Sequence, residues 1–161
     1  MTTYTGCYVS PIGPLVVQVT ESGLVRVEFV DERPVPSGVH PLLERCLSQL
    51  DEYFRGLRQE FSVPVAQPGT EFQQKVWAAL AALPYGQTTT YQALAAGLGD
   101  ARAARAVGAA AAGNRLAIIV PCHRVIGKDG RPRRYAWGTW RKEWLLRHEQ
   151  RSLIARRRPK P

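Results

Sequence analysis

The stretch that decides the fold is TTTYQALAAGLGDARAARAVGAAAAGN, residues 88–114. Its threonine run offers an N-cap for a short helix. The apolar residues that recur at helical spacing on that helix are Tyr91, Leu94, Ala95 and Leu98. Gly97 and Gly99 break it, Asp100 can cap a second, alanine-rich helix over 101–112, and Gly113-Asn114 ends that one. Two short helices joined by a glycine-containing turn predict a helix-turn-helix.

The second of these helices has an unusual composition. Arg102 and Arg105 lie three residues apart, which predicts that they share a face. Otherwise the helix contains only Ala, Val and Gly, with no Asn, Gln or Lys to read base edges in a major groove. So thin a helix can approach DNA closely, including in the minor groove, without sequence preference. Close packing against a neighbouring element is the alternative. The two arginines, which need a partner, favour DNA.

Charge is divided unequally along the 161 residues. Residues 1–70 contain five Arg and Lys against eight Asp and Glu, whereas residues 71–161 contain seventeen against five. All of the basic character therefore lies in the C-terminal half, as expected if that half meets a polyanion. Nucleic acid is the first candidate. A basic face that only keeps the protein in solution is the alternative that charge alone leaves open.

The segment after the second helix is apolar and ends in Val120-Pro121-Cys122-His123. Residues 115–120 read as a strand, and the proline confines Val120 to extended geometry. Four Arg and Lys within about ten residues and the adjacent histidine favour the thiolate of Cys122. Neighbours on an extended chain point opposite ways, so Cys122 and His123 are expected to communicate through a turn or a bridging water. A buried, inert cysteine is the alternative reading.

A carboxylate near the C-terminus can complete this site. Residues 139–150 have a helical pattern in which Trp144, Leu145 and Leu146 face a core, and Glu149 falls on the same inward face. A buried carboxylate is costly unless it is paired. His123 is the natural partner, because in a Cys–His–Glu arrangement the carboxylate orients a base that activates the thiol. A surface salt bridge with Arg147 or Arg151 remains equally open.

The N-terminal half reads as strands followed by a helix. Strands are predicted over 3–9, 15–19 and 24–30, separated by turns rich in Pro and Gly, with residues 60–65 a candidate for one more. Apolar residues at helical spacing over 43–54 predict a helix, and Cys46 on its apolar stripe is assigned to the core. A further helix is predicted over 72–83. The predicted fold class is α/β of the α+β type, with strands and helices in separate parts of the chain.

The remaining composition bounds compartment and cofactors. Three cysteines at unrelated spacings predict no disulfide framework and form no C-x-x-C pair. With only three histidines in addition, no zinc site is recognisable. No secretory signal is visible, and no apolar run approaches the roughly 18–20 residues that span a bilayer. We expect a reduced cytoplasmic protein that does not bind membranes.

Several motifs together resemble one family. They are Ser10-Pro11-Ile12-Gly13-Pro14, Phe72-Gln73-Gln74-Lys75-Val76-Trp77, Tyr91-Gln92-Ala93-Leu94-Ala95, Ala104-Arg105-Ala106-Val107-Gly108, Asn114 and Pro121-Cys122-His123-Arg124-Val125. Over nearly its whole length the chain resembles the O6-alkylguanine-DNA alkyltransferases, the methylated-DNA–protein-cysteine S-methyltransferases, in their bacterial form. The resemblance implies an RNase H-like N-terminal domain over 1–66 and a linker over 67–70. A helix-turn-helix domain that binds DNA and accepts the alkyl group then spans 71–153, followed by a basic tail over 154–161.

The resemblance also implies roles for single residues. Cys122 matches the alkyl acceptor, His123 and Glu149 its water-linked activating pair, and Asn114 the residue that braces the site. Tyr91 matches the phenol that turns the nucleotide outward and hydrogen-bonds the leaving base, Arg105 the side chain that fills the gap in the stack, and Lys142 a lysine that helps neutralise the departing guanine. The implied DNA-binding set adds Gln92, Arg102 and Lys128, and the implied pocket comprises Val125, Tyr135, Ala136 and Trp137.

The implied reaction is direct reversal of DNA damage. The protein turns O6-alkylguanine, and by extension O4-alkylthymine, out of double-stranded DNA and transfers the alkyl group irreversibly to Cys122, so each molecule acts once. No metal or cofactor is expected. The resemblance implies a monomer that binds the minor groove without sequence preference. The sequence leaves open cooperative assembly on DNA, the adduct size, the choice between guanine and thymine lesions, and the rate.

Some positions depart from relatives. The N-terminal zinc-binding residues of some eukaryotic members are absent. Pro132-Arg133-Arg134 precedes Tyr135 where a small residue is usual two positions before the tyrosine, and Trp137 replaces a glycine of some members, which indicates a narrower pocket. The basic tail is expected to be solvated and disordered.

Two other functions compete with this reading. One is a DNA-binding module without chemistry, which the presence of Cys122 argues against. The other is a Cys–His–Glu hydrolase of small substrates, for which the charge asymmetry and the alanine-rich helix have no role.

Overall fold

The computed structural model describes residues 2–132 and 134–157 as an α+β fold. The chain forms two compact units, which are described separately. The first contains residues up to Gly69 together with Arg115–Ile119, and the second contains Thr70–Asn114 together with the residues from Val120 onward. The domain boundary predicted from sequence placed residues 115–119 with the C-terminal half, whereas in the structure they group with the N-terminal unit.

A three-stranded antiparallel sheet in the described part of the chain forms the base of the first unit. Its strands are β1 (Tyr4–Ser10), β2 (Gly13–Thr20) and β3 (Gly23–Phe29), in the order β1-β2-β3. The predicted antiparallel strands are therefore confirmed. The turn into β3 requires glycine, because Gly23 has a φ of 142° and a Cβ there would overlap the carbonyl oxygen of Pro64.

Helix α1 (Pro41–Phe54) packs against β1 and β2. Its buried face includes Leu43, Leu50 and Tyr53. Cys46 lies on that face, fully buried, and burial raises the pKa of its thiol to about 12. Cys46 is thus part of the core, as its place on the apolar stripe predicts.

Two short segments cover the outer edge of β3. The amide of Leu24 donates to Pro64 O at 2.8 Å, and the amide of Val27 donates to Arg115 O at 2.8 Å. Each segment forms a single parallel bridge, Leu24 with Val65 and Val27 with Leu116. Such cover removes the unpaired amides and carbonyls that an exposed edge would offer to another chain.

These bridges correct two predicted strands. Residues 60–65 do not form a strand, because Pro64 has no amide hydrogen to donate and only Val65 bridges. Residues 115–120 do not form one either. After the bridge at Leu116 the backbone turns at Ile118, whose φ of 74° lies in the left-handed region, so the chain leaves extended geometry before it reaches Pro121.

The second unit is mainly helical. Helix α2 (Glu71–Ala81) begins in a capping box between Thr70 and Gln73, and α3 (Tyr91–Gly97) begins with Thr90 as its side-chain cap. Helices α4 (Ala104–Ala112) and α5 (Thr139–Arg157) follow. The predicted apolar face of α2 is only partly buried, because Phe72 in the first turn is 40% exposed and Leu83 lies beyond the helix end.

The helix-turn-helix pair is α3 and α4, which pack against each other. The second helix begins later than predicted. Asp100 caps a 3-10 turn, Ala101–Ala103, and α4 starts only at Ala104. Arg102 therefore lies on the turn and Arg105 on the helix, so the two do not share one helical face. Trp77 on α2 fixes α4 from behind by donating from Nε1 to Ala110 O at 2.9 Å.

The C-terminal helix is longer than the sequence indicates. Residues 154–157, predicted to begin the basic tail, continue α5, and Arg156 and Arg157 of the stretch expected to be disordered are part of this helix. Residues 158–161 of that tail lie outside the described residues. So does Arg133, which belongs to the Pro132-Arg133-Arg134 stretch that differs from relatives. No helix within residues 2–132 and 134–157 combines the length and apolar character needed to cross a membrane.

Candidate active site

Cys122 begins a 3-10 turn, Cys122–Arg124, in the second unit. Its amide donates to Val120 O at 2.8 Å. The cysteine is 8% exposed and faces a cleft. Cys122 and His123 therefore lie on a turn, which is one of the two arrangements, a turn or a bridging water, that the sequence left open.

Asn114 connects this turn to the end of α4. The residue follows Gly113 at the C-terminus of the helix and is 2% exposed. Its Nδ2 donates to Val120 O at 2.9 Å and to Sγ of Cys122 at 3.5 Å. An amide nitrogen has two hydrogens, so it can serve both acceptors at once. The structure thus brings Asn114 and Cys122 together, as the resemblance implies.

Behind the cysteine lies a buried ionic cluster of His123, Arg124 and Glu149. Nε2 of His123 lies 2.7 Å from Oε2 of Glu149, and both side chains are fully buried. Arg124 binds the same carboxylate in a fork, with Nε at 2.9 Å from Oε1 and Nη2 at 3.0 Å from Oε2. Of the alternatives left open by the sequence, the pairing with His123 is the one found, and Arg124 is a further partner.

Backbone groups complete the shell of Glu149. The amide of Gly86 donates to Oε1 at 3.0 Å, and Gln150 in turn donates to Gly86 O at 2.5 Å. Burial alone would raise the pKa of Glu149, but the charges and hydrogen bonds of His123 and Arg124 outweigh it and hold the pKa far below its usual range. Glu149 is therefore a carboxylate at any physiological pH.

His123 has one ring nitrogen in the cluster and one outside it. Nδ1 is buried and has no hydrogen-bond partner among the described residues. Burial lowers the pKa of His123, the charge of Glu149 opposes this, and the charges of Arg124 and Lys142 add to the lowering. A neutral imidazole whose Nδ1 lone pair makes no hydrogen bond can accept a proton there.

The thiol itself is not preformed as thiolate. Burial raises the pKa of Cys122, and the hydrogen bond from Asn114, the charge of Lys142 and the backbone amide only partly offset this. The cationic neighbours expected to favour the thiolate act elsewhere: Arg115 pairs with Glu28 at 3.7 Å, Arg124 with Glu149, and Arg131 with Asp129 at 4.0 Å. Cys122 therefore needs a base when it reacts.

Lys142 is the cation that remains close to the thiol. It lies on α5, fully buried, and Nζ donates to Arg134 O at 3.3 Å. Burial lowers its pKa, and the charge of Cys122 acts in the opposite direction. The structure therefore groups Lys142 with Cys122, as the resemblance implies.

The cleft in front of Cys122 has a volume of about 830 Å³. Its described lining is Tyr91, Arg105, Gly108, Ala109, Ala111, Ala112, Cys122, Arg134, Tyr135, Ala136, Gly138 and Thr139. One wall is thus the small-residue face of α4, and the other is the loop that leads into α5. Small side chains on α4 leave the space that a planar group would occupy.

Two phenols face this space. Burial and then the charge of Cys122 raise the pKa of Tyr91, and the same two causes, in the same order, raise that of Tyr135 strongly. The hydroxyl of Tyr135 is buried without a hydrogen-bond partner among the described residues. Both phenols therefore stay protonated and are able to donate a hydrogen bond.

Some predicted residues lie away from this cleft. Val125 is fully buried and forms a parallel bridge with Thr89, and it is not among the described lining residues. Trp137 is half-buried and packs edge-on against Tyr135 with ring centroids 5.1 Å apart, so it supports the wall from outside. The side chain of Arg102 is 97% exposed and pairs with Asp100 at 3.8 Å.

The predicted DNA-binding residues otherwise gather at a second, smaller cleft of about 320 Å³. Its described lining is Thr90, Tyr91, Gln92, Ala104, Arg105, Gly108, Ile126, Gly127 and Lys128. Tyr91, Arg105 and Gly108 line both clefts. These three residues therefore form the ridge between the thiol cleft and the second cleft.

Sequence reasoning missed several residues of the site. Arg124 was quoted only as part of a motif, although a buried Glu149 needed a cationic partner. Gly86 could not be found, because a backbone amide leaves no compositional signal. Gly108, Ala109 and Ala112 had a detectable signal, namely small residues at helical spacing on one face of α4. No group of three or more His, Cys, Asp or Glu side chains within the described ranges could hold a metal ion.

The fold and site define a two-unit protein with a buried thiol beside a helix-turn-helix. Two family models match it: the ribonuclease-like domain of 6-O-methylguanine DNA methyltransferase over residues 3–67, and the DNA binding domain of the same family over residues 71–151. The chain belongs to the 6-O-methylguanine DNA methyltransferase family.

Similar proteins extend over almost the whole chain. The methylated-DNA–protein-cysteine methyltransferase of Mycobacterium leprae is 45% identical over 150 residues, covering 90% of this chain and 91% of the relative. That of Methanosarcina barkeri is 41% identical over 150 residues, covering 89% and 95%. The crystal structure of Mycobacterium tuberculosis O6-methylguanine methyltransferase superposes with a TM-score of 0.84 at 37% identity, covering 99% of this chain and 97% of that one. A structure of Mycobacterium tuberculosis OGT in complex with DNA gives 0.82 at 40% identity, covering 91% and 92%.

Proposed function

We propose that this protein is a methylated-DNA–protein-cysteine methyltransferase that repairs O6-alkylguanine, and O4-alkylthymine, by moving the alkyl group onto Cys122. The observation that carries this proposal is the position of Cys122. Of the three cysteines, Cys46 is core and Cys7 lies in β1, whereas Cys122 faces a cleft with a buried His–Glu pair behind it. Family membership and the relatives' names support the same reaction.

DNA is engaged through the helix-turn-helix unit. The small face of α4 and the exposed Arg105 support entry into the minor groove without base readout, with Arg105 filling the space of an extruded nucleotide. Gln92 and Lys128 line the second cleft beside Arg105 and would hold the backbone. The exposed position of Arg102 suits a phosphate contact.

The reaction begins with removal of the thiol proton. His123 accepts it at Nδ1, directly or through a bridging water, and the imidazolium is stabilised by Glu149. Sulfur then forms a bond to the alkyl carbon while the bond between that carbon and guanine O6 breaks, in line. The electron pair of the broken bond passes to the guanine ring.

The leaving guanine needs a proton or a positive charge beside it. Tyr91 lines the same cleft as Cys122 and can donate its phenolic proton to the departing base. Lys142 lies close enough to act on the charge of Cys122 and would help to neutralise the anion. Asn114 holds the nucleophile on the cleft side.

The product is a stable thioether, so each molecule acts once. We also propose that the protein works as a monomer in the cytoplasm. The free thiols of Cys7, Cys46 and Cys122 support the reducing compartment. The mass of the protein distinguishes this function from the two alternatives, because neither a DNA-binding module nor a hydrolase would retain the alkyl group.

The test is the intact mass of the protein after incubation with duplex DNA that contains O6-methylguanine. We expect each molecule to gain a single methyl group. The gain is lost in Cys122→Ser and retained in Cys7→Ser, the matched control. Tight binding without a mass gain would support the module, and continued turnover by unmodified protein would support the hydrolase. Either result would overturn the proposal.

A further inference from the structure

Arg124 is a charged side chain with several partners behind the thiol, and the reaction above gives it no role. Its fork binds both oxygens of Glu149, and Nη1 donates to Leu83 O at 2.8 Å. Its guanidinium also lies 5.5 Å from the ring centroid of Tyr85. The side chain is 6% exposed. Arg124 therefore has a fixed position between the turn after α2 and helix α5.

The hydrogen bonds around Glu149 determine where the proton of His123 resides. A carboxylate only accepts, so the 2.7 Å contact requires Nε2 of His123 to be the donor. Among the described contacts, Oε1 accepts from Arg124 and Gly86, and Oε2 accepts from Arg124 and His123. A neutral imidazole that is protonated on Nε2 has its lone pair on Nδ1, the nitrogen without a partner among the described residues.

The charges around His123 favour that neutral form. The groups that face it are Glu149 and Lys142 on α5, Arg124 on its own turn, Cys122 beside it, and Tyr85 near the Glu149–Arg124 pair. Because the charge of Arg124 opposes that of Glu149, a proton added to His123 is attracted less strongly and would put a further positive charge next to Lys142 in a buried space. Without Arg124, Glu149 alone would attract that proton.

We infer that Arg124 is a positioning residue for the proton transfer. By binding both oxygens of Glu149, it keeps His123 neutral, with its proton on Nε2. Nδ1 is then unprotonated and can act as the base. The inference rests on the proposed function. In an isolated Cys–His–Glu triad, the carboxylate would draw the histidine toward its protonated form before the substrate arrives. Here the fork of Arg124 postpones that step until the thiol proton leaves Cys122.

The experiment compares the pH dependence of alkyl transfer in the full-length protein and in Arg124→Met. Loss of the fork leaves the charge of Glu149 uncompensated, which raises the pKa of His123. We expect the acid limb of the rate profile to move to higher pH by about one unit, so the rate falls about tenfold on that limb and recovers in alkali. Nitrogen NMR of the His123 ring over a pH series should show the Nε2–H tautomer in the wild type at neutral pH, and imidazolium forming at a higher pH in the variant than in the wild type.

A second variant separates positioning from simple stabilisation. Arg124→Met with Glu149→Gln removes both charges, so we expect the acid limb to return toward lower pH although the melting temperature stays low. Arg124→Lys keeps the charge without the fork and should restore the limb in part. Arg147→Met, an exposed arginine on α5 two residues from Glu149, is the matched control and should leave the profile unchanged.

Each result bears on one claim. If the wild type transfers alkyl groups and the acid limb does not move in Arg124→Met, or if the double variant fails to move it back, Arg124 has only a structural role and the inference is wrong. The NMR readout needs no DNA. If the wild type does not transfer alkyl groups, but Nδ1 of its neutral His123 is unprotonated and imidazolium forms at a higher pH in Arg124→Met than in the wild type, the proton placement stands and the proposed function fails.

Discussion

Asn114 holds the sulfur of Cys122 and the backbone ahead of it through one nitrogen: Nδ2 lies 3.5 Å from Sγ and 2.9 Å from Val120 O. The residue closes α4, the helix that forms one wall of the thiol cleft. A single side chain therefore links the C-terminal end of α4 to the nucleophile. This relationship makes stability and reactivity depend on the same amide.

Replacement of Asn114 by Ala should reduce both properties. The carbonyl of Val120 loses one donor but keeps the amide of Cys122, so the loss costs about 0.5–1.5 kcal/mol of unfolding free energy. The thiolate also loses a hydrogen bond, so the pKa of Cys122, already raised by burial, should rise further. Urea unfolding measures the first effect, and the pH dependence of iodoacetamide labelling measures the second. An unchanged labelling profile would contradict the role of the 3.5 Å contact.

Substitutions at Gly108 should separate stability from repair. A Cβ there would lie 3.8 Å from the ring of Tyr91, an ordinary contact, so Gly108→Ala should stabilise α4 by roughly 0.5–1 kcal/mol. Gly108→Leu would push Tyr91 from its place on the cleft wall and should slow alkyl transfer by about a hundredfold. Thermal unfolding and single-turnover rates test the pair. Equal rates in both variants would show that the ridge does not shape the cleft.

Arg105 and Arg102 should differ although they lie three residues apart. Arg105 lines both clefts, so Arg105→Ala should lower the transfer rate on duplex DNA much more than on a free alkylated base. Arg102 is almost fully exposed beside Asp100, so Arg102→Ala should only reduce the slope of log Kd against log salt by about one. Binding and transfer measured across salt concentrations decide this, and identical effects would refute the division of roles.

Glu149 should make the protein sensitive to acid. Its pKa is depressed in the folded state, so its contribution to stability is present above the unfolded value of about 4.3 and is lost as pH falls below it. Glu149→Gln should be less stable at neutral pH but show a shallower loss of unfolding free energy in acid. Denaturant titrations over a pH series measure the slope. Glu143→Gln, an exposed carboxylate on α5, is the control and should keep the wild-type slope.

The sequence predicts elements whose signal is local. The three strands, α1, α2 and the capped start of α3 follow from alternation, helical spacing and a side-chain cap. The start of α4 was missed because alanine suits a 3-10 turn and an α-helix alike. The turn at Ile118 was missed because a β-branched residue with positive φ contradicts its own preference and depends on tertiary contacts.

The residues of the site also differ in whether a local signal in the sequence marks them. Cys122, His123, Glu149 and Asn114 could be grouped because motifs and helical spacing mark them. The fork of Arg124 on Glu149 and the amide of Gly86 could not, because they depend on how the turn after α2 meets α5. The direction of the Cys122 pKa also escaped prediction, since a count of nearby arginines shows neither the burial that raises this pKa nor the carboxylates that pair with those arginines.

The central claim is that Cys122 is consumed by use, and a stoichiometry measurement tests it most directly. A fixed amount of protein is mixed with a large excess of duplex DNA containing O6-methylguanine, and the guanine restored is counted over time. The account predicts a burst that stops when restored guanine equals protein, with the methyl group found on the peptide that contains Cys122. Restoration that continues past this point, or a methyl group found on Cys7 or Cys46, would contradict it.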